Sequence, residues 1–141
     1  MTGSGDMERQ IIEMAAELNI ADKVIFTGFK QGKELAQIYQ MADLYVLSSV
    51  SEPFGLTPLE SLSYGTPVLI SKQSGVSEAL SHCLKVDFWD TDQMANKILA
   101  VLKYNELKDE LSQCGRKEVQ KFNWRDTAQQ FIEAYRSINN Y

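Results

Sequence analysis

Apolar positions along this chain alternate between two periods. Four short runs have the length and composition of strands: Val24-Ile25-Phe26, Leu44-Tyr45-Val46-Leu47, Pro67-Val68-Leu69-Ile70 and Leu84-Lys85-Val86. The middle two are apolar throughout, as suits strands covered on both faces. Between the runs, apolar residues return every three or four positions, the spacing of a helix with one buried stripe. Met7, Ile11, Met14, Ala15 and Leu18 mark the first helix, and Leu35, Ile38, Tyr39 and Ala42 the second. Leu59, Leu62 and Ser63 mark a third, which Gly65-Thr66-Pro67 should stop.

Strands that alternate with helices predict parallel pairing through right-handed crossovers. The expected class is therefore α/β, a Rossmann-like open parallel sheet flanked by helices. Beyond Val86 the pattern is helical only. Asp90 with Gln93 three positions later reads as a capping box for a helix that reaches about Tyr104. A second helix follows from about Leu107 to Gln120. The last starts near Asn123 and carries Trp124, Ala128, Phe131, Ile132 and Tyr135 on one stripe. Trp124, Phe131 and Tyr135 at this spacing read as core. The whole is read as one domain over 1–141 with C-terminal helices from about 91 to 141, without repeats, low-complexity segments or a linker.

Composition narrows the partners. The 141 residues are 44% hydrophobic, enough for one core, and the formal charge is −5. With no basic patch, nucleic acid is not an expected ligand. The longest apolar run, Pro67 to Ile70, is far below the about 20 residues of a membrane span. Met1 leads directly into Thr2-Gly3-Ser4-Gly5-Asp6-Met7-Glu8, which lacks the pattern of a signal peptide, so a cytoplasmic location is expected. Cys83 and Cys114 lie 31 positions apart, match no metal-ligand spacing, and are expected as reduced, buried thiols. A lone His82 makes a zinc site improbable; it reads as a partly exposed helix-end residue.

The segment Ser48 to Ser71 carries the chemistry. It places Glu52 and Glu60 on either side of a Phe54-Gly55-Leu56 turn that opens a helix. A helix N-terminus offers free backbone N–H groups and partial positive charge, which suits a phosphate. Carboxylates beside it accept hydrogen bonds from sugar or ribose hydroxyls. Together these suggest a nucleotide-sugar site. In open α/β sheets ligands bind beyond the carboxyl ends of the strands. The loops Gly3 to Gly5, Thr27 to Gly32, Ser48 to Leu56 and Ser71 to Val76 should therefore share one edge. Each residue also has a plainer reading. Thr57-Pro58-Leu59-Glu60 is a capping box with Pro58 at the first helical position. Glu52 could be a solvated loop carboxylate, Gly3-Ser4-Gly5 a flexible start, and Lys72 a solvated lysine instead of a phosphate contact. Lys97, Lys103, Lys108, Arg116, Lys117 and Lys121 spread along helices as a solvated face, with a membrane-surface role as the minor alternative.

These motifs resemble the C-terminal, donor-binding domain of GT-B glycosyltransferases, in the large family-4 group of retaining enzymes. The Glu-x7-Glu signature reads Glu52-Pro53-Phe54-Gly55-Leu56-Thr57-Pro58-Leu59-Glu60. Ala42-Asp43-Leu44-Tyr45-Val46-Leu47-Ser48-Ser49 and Tyr64-Gly65-Thr66-Pro67-Val68 are similar to its flanking strands. Gly3-Ser4-Gly5 resembles its Gly-x-Gly turn, Val24-Ile25-Phe26-Thr27-Gly28-Phe29 its Val-x-Phe-x-Gly strand, and Phe122-Asn123-Trp124 the Phe-Ser-Trp start of its last helix. The resemblance covers essentially the whole chain.

The resemblance implies transfer of a hexose from a nucleotide-diphosphate sugar to a glycan, lipid or small molecule, with retained configuration and no obligatory metal or other cofactor. Glu52 would contact hexose hydroxyls and take part in catalysis. Phe54, Gly55 and Leu56 would aim amides at the sugar and pyrophosphate, and Glu60 would accept from the ribose. Gly28, Phe29 and Lys30 would lie near the base, Gly3 and Gly5 near the phosphates and ribose. The family's domain normally begins with a strand, a helix and a strand carrying diphosphate-gripping Arg and Lys, and an acceptor domain with a catalytic His precedes it. Neither is found in this sequence, and Gln73-Ser74-Gly75-Val76-Ser77-Glu78 stands where the family has Gly-Gly-x-Pro-Glu. The chain is therefore expected to be an N-terminally truncated piece of a transferase, inactive alone, prone to self-association, with the absent acceptor domain as its partner and the inner membrane face as a second location. Two alternatives remain: a non-catalytic nucleotide- or partner-binding module of the same fold, and a sugar-nucleotide epimerase or phosphorylase relative, which the Phe-Gly-Leu-Thr-Pro-Leu-Glu run fits less well.

Overall fold

In the computed structural model, which describes residues 1–139, the chain runs through α1 (Glu8–Glu17), a 3₁₀ turn (Ala21–Lys23), α2 (Gly32–Met41), β1 (Tyr45–Leu47), α3 (Leu56–Ser63), β2 (Val68–Ser71), α4 (Val76–Ala79), β3 (Leu84–Val86), α5 (Thr91–Lys103), α6 (Asn105–Val119) and α7 (Trp124–Asn139). Contacts gather residues Met1–Ile38 into one unit and those from Tyr39 onward into another.

From Tyr39 onward the organiser is a parallel three-stranded sheet in the order β1-β2-β3. Tyr45 lies opposite Val68 and Leu47 opposite Ile70, while Leu69 faces Leu84 and Ser71 faces Val86. Parallel neighbours need crossovers, which α3 and α4 supply. β2 is buried along its whole length, which accounts for its apolar run Val68-Leu69-Ile70. Val68 and Ile70 join Leu59, Leu62, Val76 and Leu80 in one core cluster, and Leu69, on the alternate face, is equally buried. α3 packs on β1 and β2, α5 packs on β3, and α6 packs against both α3 and α5. The class is the expected α/β one, with a helical C-terminal part.

Two helix ends follow their sequence signals. Gly65, at φ +86°, closes α3: its N–H donates to the Leu62 carbonyl at 3.0 Å and that of Thr66 to the Ser61 carbonyl at 3.1 Å. This is a Schellman stop, and the positive φ favours glycine. Asp90 caps α5 by accepting from the Gln93 N–H at 2.9 Å, although the Gln93 side chain returns to the Asp90 carboxylate instead of its N–H. At α6, a Cβ added to Gly115 would lie 2.4 Å from Leu62 Cδ2, so this helix approaches α3 closely because residue 115 has no side chain. Three residues on, buried Glu118 accepts from the N–H groups of Ser81 at 2.9 Å and His82 at 2.8 Å. Burial by itself pushes the Glu118 carboxyl up, but the bonds from His82 and Ser81 outweigh it and the net shift is downward. His82 thus lies in the turn between α4 and β3, with its Nδ1 3.2 Å from Glu118, not at a helix end.

Three other expectations need correction. Val24-Ile25-Phe26 forms no strand. Its segment is held by separate bonds: Met1 N to the Ile25 carbonyl, Thr27 N–H to the Met1 carbonyl at 3.0 Å and Gly3 N–H to the Gly28 carbonyl at 3.0 Å. These bonds do not make up a regular ladder, and Ile25 is 71% exposed. Thr57 does not cap α3, because the helix begins two residues earlier than expected, at Leu56, which puts Pro58 third and not first. The α7 stripe is not core: Trp124 is 77% exposed, and Phe131, Ile132 and Tyr135 are exposed as well, because nothing among the described residues covers that face.

Leu62→Ala should lower the unfolding free energy by about 2–5 kcal/mol and Gly115→Ala by about 1–3 kcal/mol. In the double variant the new Cβ occupies vacated space, so urea denaturation should show a loss smaller than the sum. Glu118 has a depressed folded-state pKa. Its contribution is therefore present above the ordinary carboxyl value of 4.5 and is lost as the pH falls through the depressed value. Glu118→Gln should be less stable than the parent at neutral pH, and denaturation series from about pH 6 to pH 3 should show its stability changing less.

Candidate functional site

β1 ends at Leu47, and the chain then crosses the sheet edge from Ser48 to Gly55 before entering α3. Gly55 is the residue ahead of the helix, with φ +90°, and no side chain caps it. That backbone conformation is cheap only for glycine. A Cβ there would also lie 3.2 Å from Glu52 Cγ, so the half-buried Glu52 rests against the bare glycine. The N–H groups of Gly55, Leu56 and Thr57 have no intrahelical acceptor by position, and Pro58 removes the fourth such donor. Gly55 itself is buried, while its neighbours Phe54 and Leu56 are 40% and 50% exposed.

A second loop fixes the first. After β2 the chain folds back so that the Gly75 N–H donates to the Glu52 carbonyl at 2.8 Å and the Val76 N–H to the Phe54 carbonyl at 2.7 Å. Glu52 and Ser74 pair as a short parallel bridge. Gly75 is required by contact instead of by φ: a Cβ would sit 2.1 Å from the Pro53 carbonyl oxygen. The serines around it are occupied internally. Ser71 Oγ donates to the Ser49 carbonyl at 2.6 Å, Ser74 Oγ to the Ser71 carbonyl at 2.7 Å and Ser77 Oγ to the Lys72 carbonyl at 2.8 Å. Ser74 and Ser77, where the resembled family has Gly and Pro, thus serve to hold this loop. Lys72 pairs with Asp87 at 2.8 Å and is not simply solvated. The Asp87 carboxyl is held below its ordinary value, first by the bond from Lys72 and next by that from Gln73.

On the other flank of the tip, Glu60 is exposed, and its Oε2 accepts from the Tyr39 hydroxyl at 3.1 Å. Tyr45, at the start of β1, donates its hydroxyl to Thr57 Oγ1 at 2.8 Å. Burial first, then the Glu60 charge, pushes the Tyr39 phenol up, and burial does the same for Tyr45, so both remain protonated donors at neutral pH. A cavity of about 580 Å³ opens beside this face, lined in part by Phe54, Leu56, Glu60, Phe122 and Trp124.

Of the residues expected from the sequence, Glu52, Phe54, Gly55, Leu56 and Glu60 gather at the α3 tip. The remaining ones belong to the unit ending at Ile38. There Gly3 and Gly28 meet through a backbone bond of 3.0 Å, and the Gly5 carbonyl accepts from the Glu8 N–H at 3.1 Å where α1 begins. Gly3 and Gly5 line a cavity of about 210 Å³ with Glu8 and Phe26. Phe29 is exposed, and Lys30 Nζ lies 3.3 Å from Glu34 on the next helical turn. The loops Ser48 to Leu56 and Ser71 to Val76 do share an edge, as their mutual bonds show. Sequence reasoning gave no role to Gly75 or Tyr39. Gly75 stood in a recognised loop without a reason for glycine, and Tyr39 looked like one more member of an apolar stripe.

Among the described residues no group of three or more His, Cys, Asp or Glu could hold a metal ion. Cys83 and Cys114 are free thiols, both half-buried, and burial pushes Cys83 up to about 11. No described helix is long and apolar enough to cross a membrane.

A family model described as "Glycosyl transferases group 1" matches residues 1–118. Mannosylfructose-phosphate synthase from Agrobacterium fabrum is 35% identical over 127 residues, 87% of this chain and 28% of that protein. The solved sucrose-phosphate synthase from Thermosynechococcus elongatus superposes with a TM-score of 0.85 at 32% identity, covering 98% of this chain and 37% of that one. HepE from Anabaena, solved in complex with UDP and glucose, superposes with a TM-score of 0.86 at 21% identity over 96% of this chain and 39% of its own, a likeness of fold. The chain spans about a third of the length of the curated relatives it matches.

Gly75→Ala should push the Pro53 carbonyl away and lengthen both bonds that tie Glu52 and Phe54. The expected result is a loss of about 1–3 kcal/mol in stability, with faster hydrogen exchange at the amides of residues 75 and 76 than at β2. Unchanged exchange there would show that the loops do not depend on this contact.

Proposed function

This chain belongs to the glycosyl transferases group 1 family, and we propose that it forms the donor-binding part of an enzyme that moves a hexose from a nucleoside diphosphate to a glycan, lipid or small-molecule acceptor. The observation that carries this reading is the tip of α3: an uncapped helix start behind a left-handed Gly55, with Glu52 on one side and Glu60 on the other.

In such a transfer the bond from the sugar's anomeric carbon to the diphosphate oxygen breaks, and a bond to an acceptor oxygen forms. Negative charge grows on the departing diphosphate. Backbone N–H groups already aimed at that position stabilise it without reorganisation, and the positive end of α3 adds to their effect. In this reading the helix tip supplies part of the charge compensation for the diphosphate, the family's preceding Arg and Lys supply the rest, and no metal is required. Glu52, seated against Gly55, would accept from hexose hydroxyls and fix the sugar beside the breaking bond. Glu60 would accept from the ribose. Gly3 and Gly5 would serve the phosphates and ribose, and Gly28, Phe29 and Lys30 the base.

The family's retaining stereochemistry is part of the proposal. So is a preceding acceptor domain, which the threefold greater length of the relatives supports. UDP and glucose bound to HepE support a nucleotide sugar as donor, and the synthase names of the relatives support a hexosyl group. A cytoplasmic enzyme with peripheral membrane contact fits this scheme. The exposed α7 stripe and sheet edge would let the isolated chain self-associate.

Isothermal titration of the full-length protein with UDP-, GDP- and ADP-hexoses tests this. One of them should bind, and Glu52→Ala should weaken it by about 1.5–3 kcal/mol through loss of a charge-assisted bond. The 141-residue chain alone should give no turnover with that donor. Absence of binding by a folded full-length protein would leave a non-catalytic module as the better reading.

A further inference from the structure

We propose that Tyr39 is the positioning residue that orients Glu60 toward the ribose of the donor, an inference that rests on the ribose role given to Glu60 above. Glu60 is exposed on α3, and a free glutamate there would sample several rotamers. Ordering it at the moment of binding costs conformational entropy. The Tyr39 hydroxyl, 3.1 Å from Oε2, selects one arrangement in advance and leaves Oε1 available to a ligand hydroxyl.

Tyr39 can do this because it is itself immobile. It is only 4% exposed. Its ring stacks on Tyr64 at 5.9 Å and 14°, and meets the Tyr45 ring edge-on at 5.8 Å and 62°. Its backbone carbonyl accepts from the Thr66 hydroxyl at 2.6 Å, which ties the end of α2 to the turn that closes α3. The helix is thereby held at both ends by one aromatic group: Tyr64 follows its last residue, while Tyr45 reaches Thr57 in its first turn. The phenol is also pushed up by its burial and by Glu60, so it stays a donor across the working pH range. A bond from a buried hydroxyl to an exposed carboxylate adds little to stability, since water would satisfy that carboxylate equally well. Its geometry gains meaning when the carboxylate has something to bind.

The test uses the full-length enzyme and calorimetric affinities for UDP, GDP and ADP, then for the 2′,3′-dideoxy form of whichever binds. Tyr39→Phe keeps the ring and its stacking and removes only the hydroxyl. It should weaken the ribonucleotide about three- to tenfold and leave the dideoxy form unchanged, so that the ratio between them falls. In a Glu60→Gln background the same change should have less than a twofold effect. Equal weakening of both nucleotides, no weakening of either, or full multiplication with Glu60→Gln would overturn the inference. If Glu60→Gln itself leaves the ratio unchanged, the ribose role of Glu60 fails and the inference falls with it. If Glu60→Gln lowers the ratio and Tyr39→Phe does not, only the Tyr39 inference fails. Thermal unfolding of Tyr39→Phe, with Tyr39→Leu as the ring-deleting control, separates lost positioning from lost packing: only Tyr39→Leu should unfold markedly earlier.

Discussion

The carbonyl of Pro53 pressed onto the Cα of Gly75 is the contact on which the arrangement of the site depends. It brings two backbones within reach, so that the amides of Gly75 and Val76 bind the carbonyls of Glu52 and Phe54. The turn ahead of α3 is thereby fixed from outside and does not rely on its own sequence for order. Fixing it costs backbone entropy for each residue held, and paired backbone groups offset that cost. A side chain at residue 75 would separate the loops, and Glu52 would lose its seat beside Gly55.

α3 turns this local order into a directed helix. Its C-terminal end is closed by Gly65 and Thr66, and its body is anchored by Leu59 and Leu62. Its N-terminal end is left open. A side-chain cap there would be worth about 0.5–2 kcal/mol, and this helix goes without one. Burial of Leu62 against α6 and of Val68 and Ile70 beneath it makes that omission tolerable. Free amides at an uncapped helix start are what an anion needs, so the missing cap and the proposed diphosphate role have one cause.

Much of this was legible in the residues. The unbroken apolar run of β2 announced burial on both faces, Gly65 announced the end of α3, and Asp90 announced the start of α5. Where the reading failed, competing interactions decided. Thr57 had the right neighbours for a cap, but a left-handed Gly55 takes the cap position two residues earlier and Tyr45 takes the threonine hydroxyl. Val24 to Phe26 had strand composition, but its segment is joined by separate backbone bonds and not by a ladder. Trp124 and Tyr135 had helical spacing, but spacing reports a stripe and not what lies against it.

By itself the sequence determined the alternation of strand and helix, the parallel sheet and the pairing of two carboxylates around one helix start, because each follows from periodicity and from the conformations that glycine and proline permit nearby. Only the tertiary structure decided that Gly75 is needed for a carbonyl arriving from 22 residues earlier, and that a tyrosine of one helix holds a glutamate of another. Those contacts join residues far apart in the chain, and no local preference encodes the distance between two backbones once they have folded together.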